Sequence, residues 1–512
     1  MKLAVFQLKS TKQRFAMKKI VRMIALLLAI LTLSGMFAAC ANTNDPTETT
    51  EAPTTNAPGE GEDVVTEEET LYVQDDLDEK YDFGETITIF MWDDWRMTEF
   101  YAEESGDIID DAIFHRNIKV CDRLGIELAF VEAPGDSGDY KDWIAKAEND
   151  WAADNEFDIY AGYSRTIPLL SIKKMTANLL EQDAFSVEKP WWPEALTTEC
   201  TIKDQLYFCT GDIATSMLWY MVAFMYNKEL YEAQYQGGKT PMDMVDNDEW
   251  TLQNFLGLVK DVYIDTNNDG AKDVTDFYGA TIYSTDIDSF MIGAGITSLE
   301  KDEDGGLRIS EKWNSQRCAD ICQTVGEAMK LQGILCNTDR STFKTQQSIF
   351  HMDRVFNIPG TDSGDGVPLE FAVAVVPVPK FDDTQVDYKT NLGNPFTIYA
   401  INAQSDALEA TATTLEAMAS ENYRSVTPAV FEVAMKVRYT DDAQCARMFD
   451  ILKDNVSFDV GKLYYYTMEK TTSTVFSDTC LSGNPSGFMS ALSKSKRVIE
   501  AKLKTLMAAY ED

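Results

Sequence analysis

The chain has 512 residues, 45% of them hydrophobic and 11% aromatic, which is enough for two or three lobes with full cores and too much for one ordinary domain. Its 84 acidic residues against 45 basic ones give a formal charge of -39, which argues against a nucleic-acid partner and against electrostatic attachment to anionic lipid, since both need basic patches. Nine cysteines are too few for a disulfide framework in so long a chain, and two histidines make a zinc site improbable.

In chain order, residues 17–22 are basic, residues 23–33 are almost wholly apolar, and small residues lead to Cys40. That is the layout of a secretory signal. The apolar run, about 11 residues, falls short of the roughly 20 that a bilayer span needs. The Ala38-Ala39-Cys40 junction resembles a lipoprotein signal, in which Cys40 becomes the acylated first residue; Phe37 stands where that pattern prefers Leu. Translation would start at Met1 or at Met17. The resemblance implies lipid anchoring on the extracellular face of the cytoplasmic membrane, with plain secretion and an incidental cysteine as the alternative. Residues 1–39 carry seven basic groups and no acidic one, which leaves 38 basic against 84 acidic in the remainder. Residues 40–82, rich in Thr, Glu, Pro and Asp, read as a disordered acidic linker.

Folded structure is expected from Phe83. Residues 86–91 read as a buried strand, 108–124 as a helix, 126–131 as a strand, 141–153 as a helix and 157–161 as a third strand. Strand and helix in alternation signal an α/β lobe with a largely parallel sheet. Ligands of such sheets sit beyond the carboxyl ends of the strands, where Trp92, Asp93 and Trp95 follow the first strand and Tyr163 and Arg165 the third. Trp191 and Trp192, before Pro193, read as structural. Residues 201–208 read as a hairpin around Lys203-Asp204-Gln205; Cys200 and Cys209 flank it, either paired or as two buried thiols. Residues 217–226, with Trp219 and Tyr220, read as an apolar strand ending at Asn227-Lys228-Glu229-Leu230.

Between Asp265 and Asp276, oxygen side chains fall at loop positions 1, 3, 5, 9 and 12 with glycine at 6, the spacing of an EF-hand calcium loop. Asp265, Asn267, Asp269, Asp273 and Asp276 would supply side-chain oxygens and Ala271 its carbonyl, making a candidate structural Ca2+ site; Asp at position 12 predicts weak affinity. A helix over 252–263 leads in. The alternative is a polar turn of Asx type. His351 reads as a packed residue rather than a catalyst. In the C-terminal run, Phe488, Leu492, Ile499, Leu503 and Leu506 share one face, which predicts an amphipathic helix docked on a lobe.

The hairpin, the apolar strand with Tyr226-Asn227-Lys228-Glu229-Leu230, the run 371–380 ending Pro377-Val378-Pro379-Lys380, the run from Asn394-Pro395-Phe396 to Ile401, and 415–428 ending Ser425-Val426-Thr427-Pro428 come in an order that resembles the extracellular solute-binding proteins of family 1, the sugar receptors of ABC importers. The match covers residues 83–459 and is strongest over 371–428; the hairpin has Lys-Asp-Gln where the family usually has Gly-Lys. The resemblance implies an α/β, two-lobed, periplasmic-binding-protein-like (type II) fold, each lobe a mixed sheet flanked by helices, joined by crossing hinge segments. Residues 83–216 would begin lobe 1 and 217–370 lobe 2, 371–425 would return to lobe 1, and 426–512 would complete lobe 2. It also implies ligand contacts at Trp92, Asp93, Trp95, Tyr163, Arg165, Trp219, Tyr220, Asp353, Arg354 and Asn394, where aromatic rings stack on the C–H faces of a sugar and polar groups meet its hydroxyls. The partners would be an oligosaccharide and the permease subunits of an importer, with the receptor a monomer and not an enzyme. Two rivals remain: a calcium-stabilised glycan hydrolase, which would need a carboxylate pair in the cleft, and a surface receptor without a transport role.

Overall fold

The computed structural model describes residues 72–93, 99–153, 155–357, 369–436, 443–469 and 471–511, all within one unit, Glu67–Asp512. Cys40, Trp95 and the expected signal segment lie outside the described residues. Three strands open the first sheet: β1 (Thr86–Trp92), β2 (Glu127–Ala133) and β3 (Ile159–Tyr163). β1 pairs in parallel with both of the others, as the strand and helix alternation predicts. Its inward residues, Ile87, Ile89, Phe90 and Met91, are buried, and Phe90 stacks between Trp143 and Phe157 at ring distances of 4.4 and 4.5 Å. Helix Ile108–Leu124 is closed at both ends by its own sequence: Asp107 accepts the first free N–H groups, and Gly125 takes the left-handed conformation at φ 63°.

The chain then crosses to a second sheet. Its strands are β4 (Val222–Asn227), β5 (Tyr263–Ile264), β6 (Phe277–Tyr283), β9 (Ile334–Asn337), β10 (Ser348–Arg354) and β11 (Val373–Val376), with β7 (Leu299–Lys301) and β8 (Leu307–Ile309) forming a separate hairpin. The order is β11-β4-β10-β6-β5, with β9 also on β6; β10–β6 and β6–β9 are parallel and the other pairs antiparallel. The chain finally returns to the first sheet as β12 (Thr397–Ile401), antiparallel to β3. Each lobe is therefore a mixed sheet, and the two-lobed architecture is the one the resemblance implies.

The expected apolar strand at 217–226 is a correction. Residues Thr215–Trp219 form a helix, and only Val222–Asn227 is strand. Every residue of both elements is buried, and an apolar run without alternation cannot distinguish a buried helix from a buried strand. Polar contacts decide it: the Ser216 amide donates to Glu99 Oε2 at 2.9 Å, and its hydroxyl meets Thr397 Oγ1 at 3.1 Å. The helix expected over 252–263 stops at Val259, before β5. The hairpin forms as a tight turn, with Lys203 and Asp204 both at positive φ and Ile202 paired to Gln205. Cys200 and Cys209 are free, buried thiols.

Three chain segments run side by side between the lobes. Val222 N donates to Asn391 O at 2.9 Å and Gly393 N to Tyr220 O at 2.7 Å, so the outgoing and returning segments pair antiparallel at Met221 and Leu392. A third joins through Thr390, which bonds the Asn455 carbonyl and the Ser457 amide at 2.8 and 2.9 Å. Gly393 is required here: a Cβ at this position would stand 2.2 Å from Arg354 Nε.

Residues 72–82, assigned to the linker by composition, pack on the first lobe through ion pairs as well as through Leu77 and Tyr81. Asp75 meets Arg123, Arg424 and Ser420, and Asp76 meets Lys189 at 2.6 Å. Trp191 and Trp192 are structural: both indole N–H groups donate to Glu416, each at 3.0 Å. Burial pushes the Glu416 carboxyl up to about 8 against the pull of those donors. Helix Phe488–Ala508 buries the five residues expected of its apolar face. Among the described residues, no helix is long and apolar enough to cross a membrane.

Candidate functional site

The carboxyl ends of β1, β3, β6 and β10 meet beside the three crossing segments. Trp92 ends β1; its indole N–H donates to Thr397 Oγ1 at 2.9 Å, and its ring lies 5.7 Å from that of Tyr163, at the end of β3. Asp93 is half-buried, with its amide bonded to the Ala133 carbonyl. Burial raises the Tyr163 phenol, and Arg165 and Arg354 both act against that rise. The charges of both arginines thus act on one hydroxyl, although the two stand 189 positions apart in sequence. The Arg165 guanidinium lies 3.6 Å over the ring of Tyr465.

Arg354 closes β10 and is 6% exposed. Its Nε stands 2.9 Å from Asp286 Oδ2, and the guanidinium faces the rings of Tyr220 at 5.5 Å and Tyr283 at 5.6 Å. Burial opposes the charge, and Asp286 with Asp353 more than restores it, so Arg354 stays cationic. Asp353 turns away to a second cation. Arg340 and His351 reach its Oδ2, the His351 contact being 3.3 Å, and the Arg354 amide donates to Oδ1 at 2.8 Å. Burial would raise this carboxyl, but these partners hold it down at about 2. His351 is 2% exposed and packed, with Nδ1 2.7 Å from Thr281 Oγ1. Arg340 in turn lies 3.9 Å over Tyr283.

Trp219 and Tyr220 end the short helix that enters the crossing; both are buried, and Tyr220 packs on Phe356 at 5.0 Å. Asn394 sits in the returning crossing, where its carbonyl accepts from Ser164 Oγ. Beside it lies a crevice of about 260 Å³ lined by Ser164, Asn391, Asp459 and Lys462 among others. A larger groove of about 980 Å³, lined by Asp76, Glu181, Asp183 and Glu409, lies among residues 72–82 and the start of helix Leu408–Glu421, and includes none of the strand-end residues. The strand-end crevice carries the polar groups of the hinge, so size alone does not mark the site.

The structure therefore gathers Trp92, Tyr163, Arg165, Tyr220, Arg354 and, through Ser164, Asn394. Asp353 lies next to this group but faces Arg340. Sequence reasoning missed Tyr140, Tyr283, Asp286, Arg340, Tyr465 and Tyr466. Tyr466 stacks on Tyr140 at 3.9 Å and 7°. The run Tyr464-Tyr465-Tyr466 was a visible signal, but nothing local says that it folds back over the first lobe, where Tyr464 reaches Ser171 at 3.1 Å.

The loop of the calcium motif joins β5 to β6, away from this cluster. Gly270 N donates to Asp265 Oδ2 at 3.0 Å, Ala271 N to Asp269 Oδ1 at 2.7 Å, and Thr266 N and the Tyr263 hydroxyl to the buried Asp276 at 3.2 and 3.0 Å. Asn268 and Gly270 take positive φ, which gives the sharp turn. Among the described residues, no three His, Cys, Asp or Glu side chains stand together closely enough to hold a metal. The donor set nevertheless fits a hard cation: it is all oxygen, and Asp265 Oδ1 is buried with no hydrogen-bond partner.

No family model matches the chain, and no curated protein matches it. Among solved structures it is similar to M. tuberculosis UspC, at 14% identity and a TM-score of 0.52, over 81% of this chain and 100% of that one. It is also similar to a cyclo/maltodextrin-binding protein complexed with maltotetraose, at 11% identity and a TM-score of 0.50, over 82% of this chain and 96% of that one. At such identities the likeness is one of fold. Two mixed sheets joined by three crossing segments, with the strand ends facing the crossing, give this chain the two-lobed fold of UspC and of that cyclo/maltodextrin-binding protein.

Proposed function

We propose that this protein is a lipid-anchored receptor that captures an oligosaccharide between its lobes by hinge closure and delivers it to an ABC importer permease. The observation that carries the reading is the cluster of Trp92, Tyr163, Arg165, Tyr220 and Arg354 at strand ends, beside the paired crossing at Met221 and Leu392. Rings and fixed polar groups suit a sugar's C–H faces and hydroxyls, and a site between two lobes on crossing strands can close by rotation about them. The cyclo/maltodextrin-binding neighbour supports the same class of ligand. Asp353, held at about 2, is unsuited to donate a proton at neutral pH. Calorimetry with a panel of oligosaccharides should show binding at micromolar or tighter affinity, and chromatography of the same mixtures should show the sugar unchanged. Binding by no glycan, or release of shorter products, would defeat the reading. The anchor at Cys40 is a separate part of it, tested by whether C40S moves the protein from membrane to medium.

The loop from Asp265 to Asp276 is proposed to take one structural Ca2+ through Asp265, Asn267, Asp269, Asp273, Asp276 and the Ala271 carbonyl. The ion would neutralise four carboxylates crowded into twelve residues. Millimolar Ca2+ is expected to raise the melting temperature, and D265N to abolish the rise. An identical melt with Ca2+ and with chelator would show that the motif is only a turn.

A further inference from the structure

Resting on the oligosaccharide reading, we propose that the ligand is an acidic sugar, an oligosaccharide bearing a carboxylate, and that Arg165 is the residue that selects it. Among the described residues, Arg165, Arg340, Arg354 and Lys462 stand at or beside the strand ends and crossing segments. Three have a carboxylate of their own: Arg340 has Asp353, Arg354 has Asp286 and Lys462 has Asp288 at 2.9 Å. Arg165 has none among the described residues, in a chain where acidic groups outnumber basic ones by 84 to 45. Its Nε is buried without a hydrogen-bond partner.

Arg165 is also held ready. Its planar face rests on Tyr465 at 3.6 Å, so the orientation of the fork is fixed before any ligand arrives. Its Nε is unpartnered, and the Tyr163 phenol lies within hydrogen-bonding reach of the fork. A guanidinium with one face covered and an unpartnered Nε suits a carboxylate, which accepts N–H bonds in the guanidinium plane. A neutral sugar hydroxyl would leave the charge uncompensated and one donor unused. Trp92, 5.7 Å from Tyr163, supplies a ring next to the place where the carboxylate would sit.

The test uses oligouronates and their methyl esters, which have the same rings and linkages but no charge. With the wild-type chain, calorimetry should show an oligouronate binding at least tenfold more tightly than its ester, with the gap narrowing in high salt. R165M should remove that difference, so that acid and ester bind equally whatever the variant's overall affinity. R165K, which keeps the charge but loses the fork, should retain part of it. If neutral oligosaccharides bind and uronates bind no better than their esters, this inference falls and the sugar-receptor reading stands. If neither class binds, both fall together. The wild-type comparison of acid with ester decides the matter even if an Arg165 variant folds poorly.

Discussion

Replacing Arg354 by methionine is expected to destabilise the protein by about 3–5 kcal/mol, a large fraction of the roughly 5–15 kcal/mol that holds a typical domain folded. The reason is Asp286. It is fully buried, and Arg354 is the cation that faces it, at 2.9 Å. Without Arg354 the carboxylate would be an uncompensated charge in a low dielectric, and the faces of Tyr220 and Tyr283 would lose the cation that lies over them. Urea unfolding should show a lower midpoint with an unchanged slope. The double variant R354M with D286N should recover much of the loss, because removing both partners of a buried pair costs far less than removing one. A loss below about 1 kcal/mol in R354M alone would mean that water or another donor already compensates Asp286. Ligand affinity should fall in R354M and stay low in the double variant. Arg354 fills the space above Gly393 in the returning crossing, so its loss loosens the hinge as well as the site.

Much of the first lobe was legible because local pattern and tertiary role agree there. The strands β1 to β3 alternate with helices, the apolar residues of β1 and β3 are buried, and parallel order follows from the helical connections. The strand ends then follow directly, and with them Trp92, Tyr163 and Arg165. The second lobe was harder to read. Residues 215–227 are buried on every side, so no polar face declares a period, and the break between helix and strand depends on Glu99 and Thr397, which come from distant parts of the chain. Arg340, Asp286 and the pair Tyr465 and Tyr466 were missed for a related reason. Each acquires meaning only from a partner more than ten positions away, Asp353, Arg354, Arg165 and Tyr140 respectively. The linker boundary was set too late because composition measures apolar content, and residues 72–82 dock through ion pairs that such a measure does not see.

Asp75 is the centre of that docking, and D75A is expected to cost on the order of 3 kcal/mol at neutral pH. Its side chain is 4% exposed, and its two oxygens meet Arg123 at 2.7 and 3.0 Å, Arg424 at 3.4 Å and the Ser420 hydroxyl. The geometry with Arg123 is bidentate, and the Arg123 fork also donates to the carbonyls of Leu77 and Asp78 at 2.9 and 3.0 Å, so one contact sets the path of the whole segment. Burial raises the Asp75 carboxyl, and the hydrogen bonds and charges of Arg123, Ser420 and Arg424 overcome it, holding the group at about 2 against an ordinary 3.8. For a carboxyl whose folded value is depressed, the stabilisation is complete above the unfolded value and is lost as pH falls through the folded one. A shift of this size is worth about 2 kcal/mol between pH 5 and pH 2. Wild type and D75A should therefore differ most in urea melts at pH 6–7 and converge as the pH approaches 2. A difference that stays constant down to pH 2 would mean that the side chain acts through packing alone. The first step of acid unfolding should be release of residues 72–82, seen as early loss of amide protection there while β1 and β3 remain protected. The strand-end cluster should stay intact while this clamp on the first lobe opens, because among the described residues Asp75 shares no partner with Trp92, Tyr163, Arg165 or Arg354.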